Sequence, residues 1–173
     1  MDVMEAIETR LDIREFADDA VDADTKRAVL EAGRLAPSGQ NLQHWRFVLL
    51  DDAADLERLS ELSPTGGWVA GADFAVVVCT DPSYDFHEID AGRALTHMQL
   101  AAWERGVGSR IYTVDQDDVR EFLELPDDYA LTAVVGFGYP TREIRGRKDR
   151  KPLDEVAFGG RFGQPLELAA GVE

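Results

Sequence analysis

Residues 74–79, Phe-Ala-Val-Val-Val-Cys, form an unbroken apolar run. A run of this length without polar alternation predicts a β-strand that is covered on both faces. Around it, the sequence predicts further strands at 45–50, 109–114 and 131–137, and helices at 2–10, 25–35, 53–62, 86–105 and 116–123. This alternation predicts an α/β or α+β sandwich, with helices on both faces of one sheet.

The segment 86–105 is the longest predicted helix. Its apolar stripe consists mostly of small residues, namely Ala91, Ala94, Leu95, Met98, Ala101 and Ala102. Small side chains allow neighbouring elements to approach closely. We therefore expect this helix to lie at the centre of the fold or against a second subunit.

Length and charge narrow the classes of function. The 173 residues can build one domain with a substantial core, but they leave no room for a separate cofactor domain. There are 18 basic and 34 acidic residues, a net charge of −16 that is spread along the chain. Such a surface repels nucleic acids and anionic membranes. Only 3 of the basic residues are lysines, and we hypothesise a halophilic protein that is adapted to concentrated salt.

The cysteine content and the chain start add further expectations. The lone cysteine, Cys79, excludes an internal disulfide and a thiolate metal site, and its apolar strand indicates a core position. Residues 1–10 lack the pattern of a signal peptide, and no apolar run approaches a membrane span, so a cytoplasmic protein is expected. His87, Glu88, Asp90 and His97 lack zinc-type spacing, which favours a solvated helix face and no metal.

Basic residues concentrate near the end of this acidic chain. Residues 142–151 hold six basic side chains against two acidic ones: Arg142, Arg145, Arg147, Lys148, Arg150 and Lys151 against Glu143 and Asp149. Ion pairing with acidic faces would explain this segment, and so would a phosphate site, because fixed cations give charge-assisted hydrogen bonds. Arg10 and Arg14, at i, i+4 spacing, could contact the same ligand. A nucleic-acid interface is disfavoured by the acidic background.

Residues 36–43, Ala-Pro-Ser-Gly-Gln-Asn-Leu-Gln, form a polar loop ahead of Trp45. Hydroxyl and amide groups can address the edge of a planar heterocycle, although a plain polar turn explains any one of them. The chain lacks a Gly-x-Gly-x-x-Gly turn between a strand and a helix, because the glycines at 106–108 follow a helix and those at 136–138 end a strand. The sequence therefore gives no sign of a dedicated dinucleotide-binding turn.

Together, four stretches resemble the nitroreductase family of flavin-dependent oxidoreductases. They are residues 10–16 (Arg-Leu-Asp-Ile-Arg-Glu-Phe), residues 36–45 (ending in Leu-Gln-His-Trp), residues 100–109 (ending in Gly-Val-Gly-Ser), and residues 138–140 (Gly-Tyr-Pro) followed by 148–153 (Lys-Asp-Arg-Lys-Pro-Leu). They occur in the family's order and span most of the chain. The resemblance implies an α+β fold, an α-β-α sandwich with a mostly antiparallel sheet, and an intertwined homodimer with one FMN at each of two interface sites.

The resemblance also implies roles for particular residues. Arg10, Lys148 and Arg150 would hold the FMN phosphate, and Arg14 would lie near the pyrimidine edge. The loop residues would approach the ring from the other subunit, and backbone amides near Thr113 would face flavin N5. The implied cofactor-binding set is Arg10, Leu11, Asp12, Arg14, Pro37, Ser38, Gly39, Asn41, Gln43, Thr113, Val114, Lys148 and Arg150.

The activity that the resemblance implies is hydride transfer from NAD(P)H to nitroaromatic, quinone or similar electron-poor acceptors by a ping-pong mechanism. Because the cofactor carries the chemistry, no catalytic side chain is predicted. The alternatives are a non-catalytic flavin or nucleotide sensor, and a relative that fragments flavin or removes halogen. Residues 1–156 would form the FMN-binding domain, and residues 157–173 an arm that packs on the partner subunit.

Two positions depart from the commonest family pattern. Asp12 replaces a frequent phosphate-binding serine, and because its carboxylate would repel phosphate, we predict that it turns away and pairs with Arg10 or Arg14. His44 replaces a proline before Trp45 and adds a backbone donor. In addition, Trp68 could either cover the flavin or fill a core edge.

Overall fold

The fold, taken from a computed structural model, is described for residues 1–114, 117–144, 146 and 148–168. The strands are β1 (Arg46–Leu50), β2 (Phe74–Thr80), β3 (Gly108–Tyr112) and β4 (Ala130–Gly138). The helices are α1 (Val3–Thr9), α2 (Ala23–Arg34), α3 (Ala53–Glu61), α4 (His87–Glu104), α5 (Asp117–Phe122) and α6 (Leu153–Val156), with short 3-10 turns at Gly39–Asn41 and Gly67–Gly71.

The four strands form one sheet in the order β1-β2-β4-β3, and every neighbouring pair is antiparallel. The predicted α+β fold with a mostly antiparallel sheet is confirmed, and the α/β sandwich that the alternation of elements also allowed is not observed. The predicted central strand is confirmed, since all seven residues of β2 are buried. Phe74, Val76 and Val78 face the core formed with α2 and α4, whereas Ala75 and Val77 face the core formed with α3.

Helix α4 lies across one face of the sheet, as its small-residue stripe predicted. Ala91, Ala94 and Ala102 are buried there, and α4 packs closely on α2. A methyl group added at Gly33 of α2 would lie 2.1 Å from Cε of Met98, so the glycine gives the Met98 side chain its present position at this crossing. Hydrophobic contact between these helices thus depends on small residues on both of them.

Two further details concern α1 and β3. The apolar face of α1 is exposed at Val3, Met4 and Ile7, and Ala6 is the buried residue of this helix. Strand β3 ends at Tyr112, so Thr113 and Val114 follow the strand. Of the predicted helix 116–123, residue 116 lies outside the described residues. None of the described helices is long and apolar enough to cross a bilayer.

Candidate functional site

A cleft of about 570 Å³ lies between residues 12–15 and residues 140–144. Main-chain hydrogen bonds build its walls: Ile13 donates to Ser109 at the start of β3, and Thr141 donates to the carbonyl of Glu15 at 3.3 Å. Buried Ile13 anchors the first wall, because Gly108 leaves room for its side chain. Arg14 lines the cleft and is exposed, so a cation is available to a bound molecule.

Arg10, just ahead of this cleft, is held by two partners. One guanidinium nitrogen donates to the carboxylate of Asp12, and the other donates to Oε1 of Gln99 at 2.9 Å. Gln99 is buried in α4 and in turn donates to Oγ of Ser109 at 3.2 Å. The predicted pairing of Asp12 with an arginine is confirmed, and its partner is Arg10.

Lys148 connects the basic segment, residues 142–151, to helix α1 near the start of the chain. Its ammonium donates to the backbone carbonyl of Ile7. The pKa of Lys148 lies below its usual value, first because the side chain is partly buried and then because Arg10 and Arg150 repel its charge; Asp12 opposes this effect. Three cations from the two ends of the chain therefore converge. We call Arg10, Lys148 and Arg150 the cation cluster.

Other predicted residues lie around this cluster or outside the described part. Leu11 is half-buried and packs against Gly146, where an added methyl group would lie 2.9 Å from a Leu11 methyl carbon. Arg142 lines the cleft. Arg145 and Arg147, which also belong to the predicted basic segment, lie outside the described residues.

The predicted ring-contacting loop is anchored elsewhere on the protomer. The backbone N–H of Gly39 donates to Asp90, in the first turn of α4. Gln99, which binds Arg10, lies nine residues further along the same helix, about 13 Å along its axis. Neither cleft that borders residues 12–15 or 140–144 includes a loop residue. The loop positions are Pro37, Ser38, Gly39, Asn41 and Gln43.

Thr113 and Val114 line a separate cleft of about 610 Å³ at the other end of β3. Thr113 lies four positions after Ser109, which corresponds to about 13 Å of strand. Thr113 is exposed and Val114 is buried. One protomer thus places the cation cluster, the loop and the Thr113 backbone at three different places, and all three border β3 or α4.

The structure corrects one prediction about α4. Asp90 is not on a solvated face, because its side chain is only 1% exposed. Its position four residues before Ala94 places it on the buried stripe, and this spacing was the signal in the sequence. Sequence reasoning also missed Gln99 and Ser109 as the support for Arg10, because nothing in the local pattern marks a buried polar pair.

Packing decides the role of Trp68, which the sequence left open, and confirms the core position predicted for Cys79. Trp68 lies against Phe16 and Tyr112, with the Arg110 guanidinium over its ring, so it fills a core edge within the protomer. Cys79 is fully buried, as predicted, and burial raises the pKa of its thiol to about 11. Among the described residues, no group of side chains could hold a metal ion.

The chain matches the profile of the Nitroreductase family over residues 7–83 and 63–139. A relative from Archaeoglobus fulgidus, provisionally named NADH dehydrogenase/NAD(P)H nitroreductase, is 33% identical over 81% of this chain and 86% of the relative. An FMN-dependent nitroreductase from Clostridium difficile has 28% identity and a TM-score of 0.81 over 88% of this chain and 96% of its own.

A structure from Desulfovibrio desulfuricans, provisionally named a nitroreductase and solved in complex with FMN, has 29% identity and a TM-score of 0.81. The match covers 94% of this chain and 98% of that one. The match extends beyond the four stretches to the strand order and the helices on both faces of the sheet. The chain therefore belongs to the nitroreductase family.

Proposed function

We propose that this protein is an FMN-dependent oxidoreductase that takes hydride from NAD(P)H and passes it to an electron-poor acceptor such as a nitroaromatic or a quinone. The observation that carries this proposal is that Lys148 lies within electrostatic range of Arg10 and Arg150, in a chain of this family whose residues 12–15 line a cleft. Of the two similar solved structures, the Clostridium difficile protein is an FMN-dependent nitroreductase and the Desulfovibrio desulfuricans protein was solved in complex with FMN.

The cation cluster fits a phosphate monoester. Burial and then repulsion by Arg10 and Arg150 lower the pKa of Lys148, and a bound dianion would offset that repulsion. Arg10 is already oriented by Asp12 and Gln99, so little side-chain freedom remains to be lost on binding. Asp12 is half exposed, and its role is to orient Arg10 and not to contact the phosphate.

The remaining residues suit the ring of the cofactor. FMN, when bound, supplies the hydride chemistry. Arg14 would hold positive charge beside the pyrimidine edge, where electron density collects when the ring accepts hydride. The backbone amides of Thr113 and Val114 would lie near N5. No general base is required from the protein.

We propose that a second copy of the chain completes the site, since one protomer keeps the loop away from the cation cluster. Val3, Met4 and Ile7 leave an apolar face on α1, and beside it a groove of about 170 Å³ runs between α1 and Leu100. Exposed apolar surface of this kind is typical of an interface. In the C-terminal arm Phe162 is 92% exposed, which supports docking of that arm on the partner.

The test is purification followed by reduction. We expect the protein to retain FMN, to lose its yellow colour when NAD(P)H is added without oxygen, and to regain it when a quinone or nitroaromatic is added. Initial rates should give parallel double-reciprocal lines, as in ping-pong kinetics, because donor and acceptor use one pocket in turn. A protein that binds FMN but turns over no acceptor would instead be a flavin sensor, and a protein without affinity for FMN would refute the proposal.

A further inference from the structure

A buried carboxylate joins the two ends of the loop at residues 39–44. Oδ2 of Asp90 accepts the backbone N–H of Gly39 at 2.9 Å and lies 3.2 Å from Nε2 of His44. Oδ1 of the same carboxylate accepts a hydrogen bond from Arg93 at 3.0 Å. A buried charge is stable only when its oxygens are paired in this way. One oxygen atom therefore holds the beginning and the end of the loop together.

The backbone between these two ends adopts an unfavourable conformation. Gln40, Asn41 and Gln43 have φ values of 50°, 57° and 50°, in the left-handed region where non-glycine residues are rare. Such residues persist only where the surrounding structure holds them. Within the loop, Oγ of Ser38 accepts the N–H of Gln43 at 3.1 Å, and the bonds to Asp90 then tie the loop to α4.

His44 has few alternatives to its contact with Asp90. It is 5% exposed, and its ring centroid lies 5.3 Å from that of Tyr84 and 6.1 Å from that of Phe86. Its Nδ1 is buried, with no hydrogen-bond partner among the described residues. Because an ionised Asp90 only accepts hydrogen bonds, Nε2 of His44 donates the bond.

We propose that Asp90 and His44 form a clamp that holds residues 38–43 in the shape in which the loop meets the flavin ring. This inference rests on the proposed function, which assigns that contact to the loop. Both are positioning residues, because they act through Gly39 and the backbone of the loop. The proline that usually precedes Trp45 in the family has no side-chain donor for such a bond, so this clamp depends on the histidine of this chain.

The test compares three variants. His44→Leu keeps the size of the side chain and removes the donor to Asp90, whereas His44→Gln restores a donor. Thr80→Val is the matched control, since it breaks the buried bonds of Thr80 Oγ1 to His87 at 2.8 Å and to Thr132 at 2.6 Å without touching the loop. Each is measured for amide hydrogen exchange at residues 38–44 without flavin, and for affinity towards FMN and riboflavin.

We expect His44→Leu to accelerate exchange in the loop and to raise the Kd of FMN by about 10-fold, because only about a tenth of the free protein would then hold the loop in its binding shape. The Kd of riboflavin should rise by the same factor, because the loop contacts the ring and not the phosphate. His44→Gln should recover most of both losses. Thr80→Val should leave loop exchange and both affinities near the parental values.

Unchanged exchange in His44→Leu would overturn the clamp, and faster exchange with unchanged flavin affinity would overturn its positioning role. Equal effects in Thr80→Val would show general destabilisation and would also overturn the clamp. If the parental protein bound no flavin, the proposed function would fail. The exchange rates would then still decide whether Asp90 and His44 hold the loop.

Discussion

Replacing Arg10 by alanine tests the phosphate site most directly. The guanidinium uses one nitrogen for Asp12 and the other for Gln99, and its side chain is 25% exposed. Loss of one charge-assisted hydrogen bond to a phosphate costs about 1.5–3 kcal/mol, which weakens FMN binding by about 10- to 150-fold. Riboflavin has the same ring and no phosphate, so its affinity should change much less.

The substitution also affects stability, and the two effects can be separated. Gln99 is buried and would lose its donor, which costs about 1–3 kcal/mol, nearer the lower limit because water can reach the vacated space. We expect a fall in Tm of about 2–4 °C. Arg34→Ala is the control, because Arg34 pairs only locally with Glu31 on the exposed face of α2.

The assay is titration of the flavin-free protein with FMN and with riboflavin, followed by flavin fluorescence. The ratio of the two dissociation constants isolates the contribution of the phosphate from any change in the ring pocket. An unchanged ratio in Arg10→Ala would refute the assignment of Arg10 to the phosphate. An Arg34→Ala variant with an equally altered ratio would show that general electrostatics, and not a site, accounts for the effect.

Four further outcomes are expected. Gly108→Ala would place a methyl carbon 2.5 Å from Cγ1 of Ile13, so it should lower the free energy of unfolding by about 1–3 kcal/mol and weaken FMN binding. The control Gly92→Ala, whose added methyl group meets no neighbouring element within 4 Å, should lower neither the free energy of unfolding nor the affinity for FMN. Because the pKa of Lys148 is lowered from 10.5 in the flavin-free protein, the protonated form that binds phosphate is lost as pH rises through that lowered pKa; FMN affinity measured across pH should therefore fall earlier than in Lys148→Arg. Thiol reagents should leave Cys79 unmodified at neutral pH until the protein unfolds, since its pKa is about 11, and labelling of the native protein would contradict its burial. With a net charge of −16, thermal melts should show Tm rising with salt into the molar range, and full stability in dilute buffer would refute the halophilic hypothesis.

The sequence alone determined the elements and the family. The apolar run of β2 and the small-residue stripe of α4 are local patterns, and burial imposes such patterns directly on the chain. The four family stretches lie within short windows, so they could be recognised without coordinates. The pairing of Asp12 with an arginine was also predictable, because the two side chains lie close along the chain.

The tertiary structure alone decided what depends on distant residues. The strand order β1-β2-β4-β3 and the register of its antiparallel pairs are seen only in the folded chain, and so is the exposure of the apolar face of α1. Asp90 contacts His44, which lies 46 positions away in the sequence, and Gln99 supports Arg10, which lies 89 positions away. No local pattern encodes such contacts, because a buried polar group needs a hydrogen-bond partner, and in these cases the partner comes near only when the chain has folded.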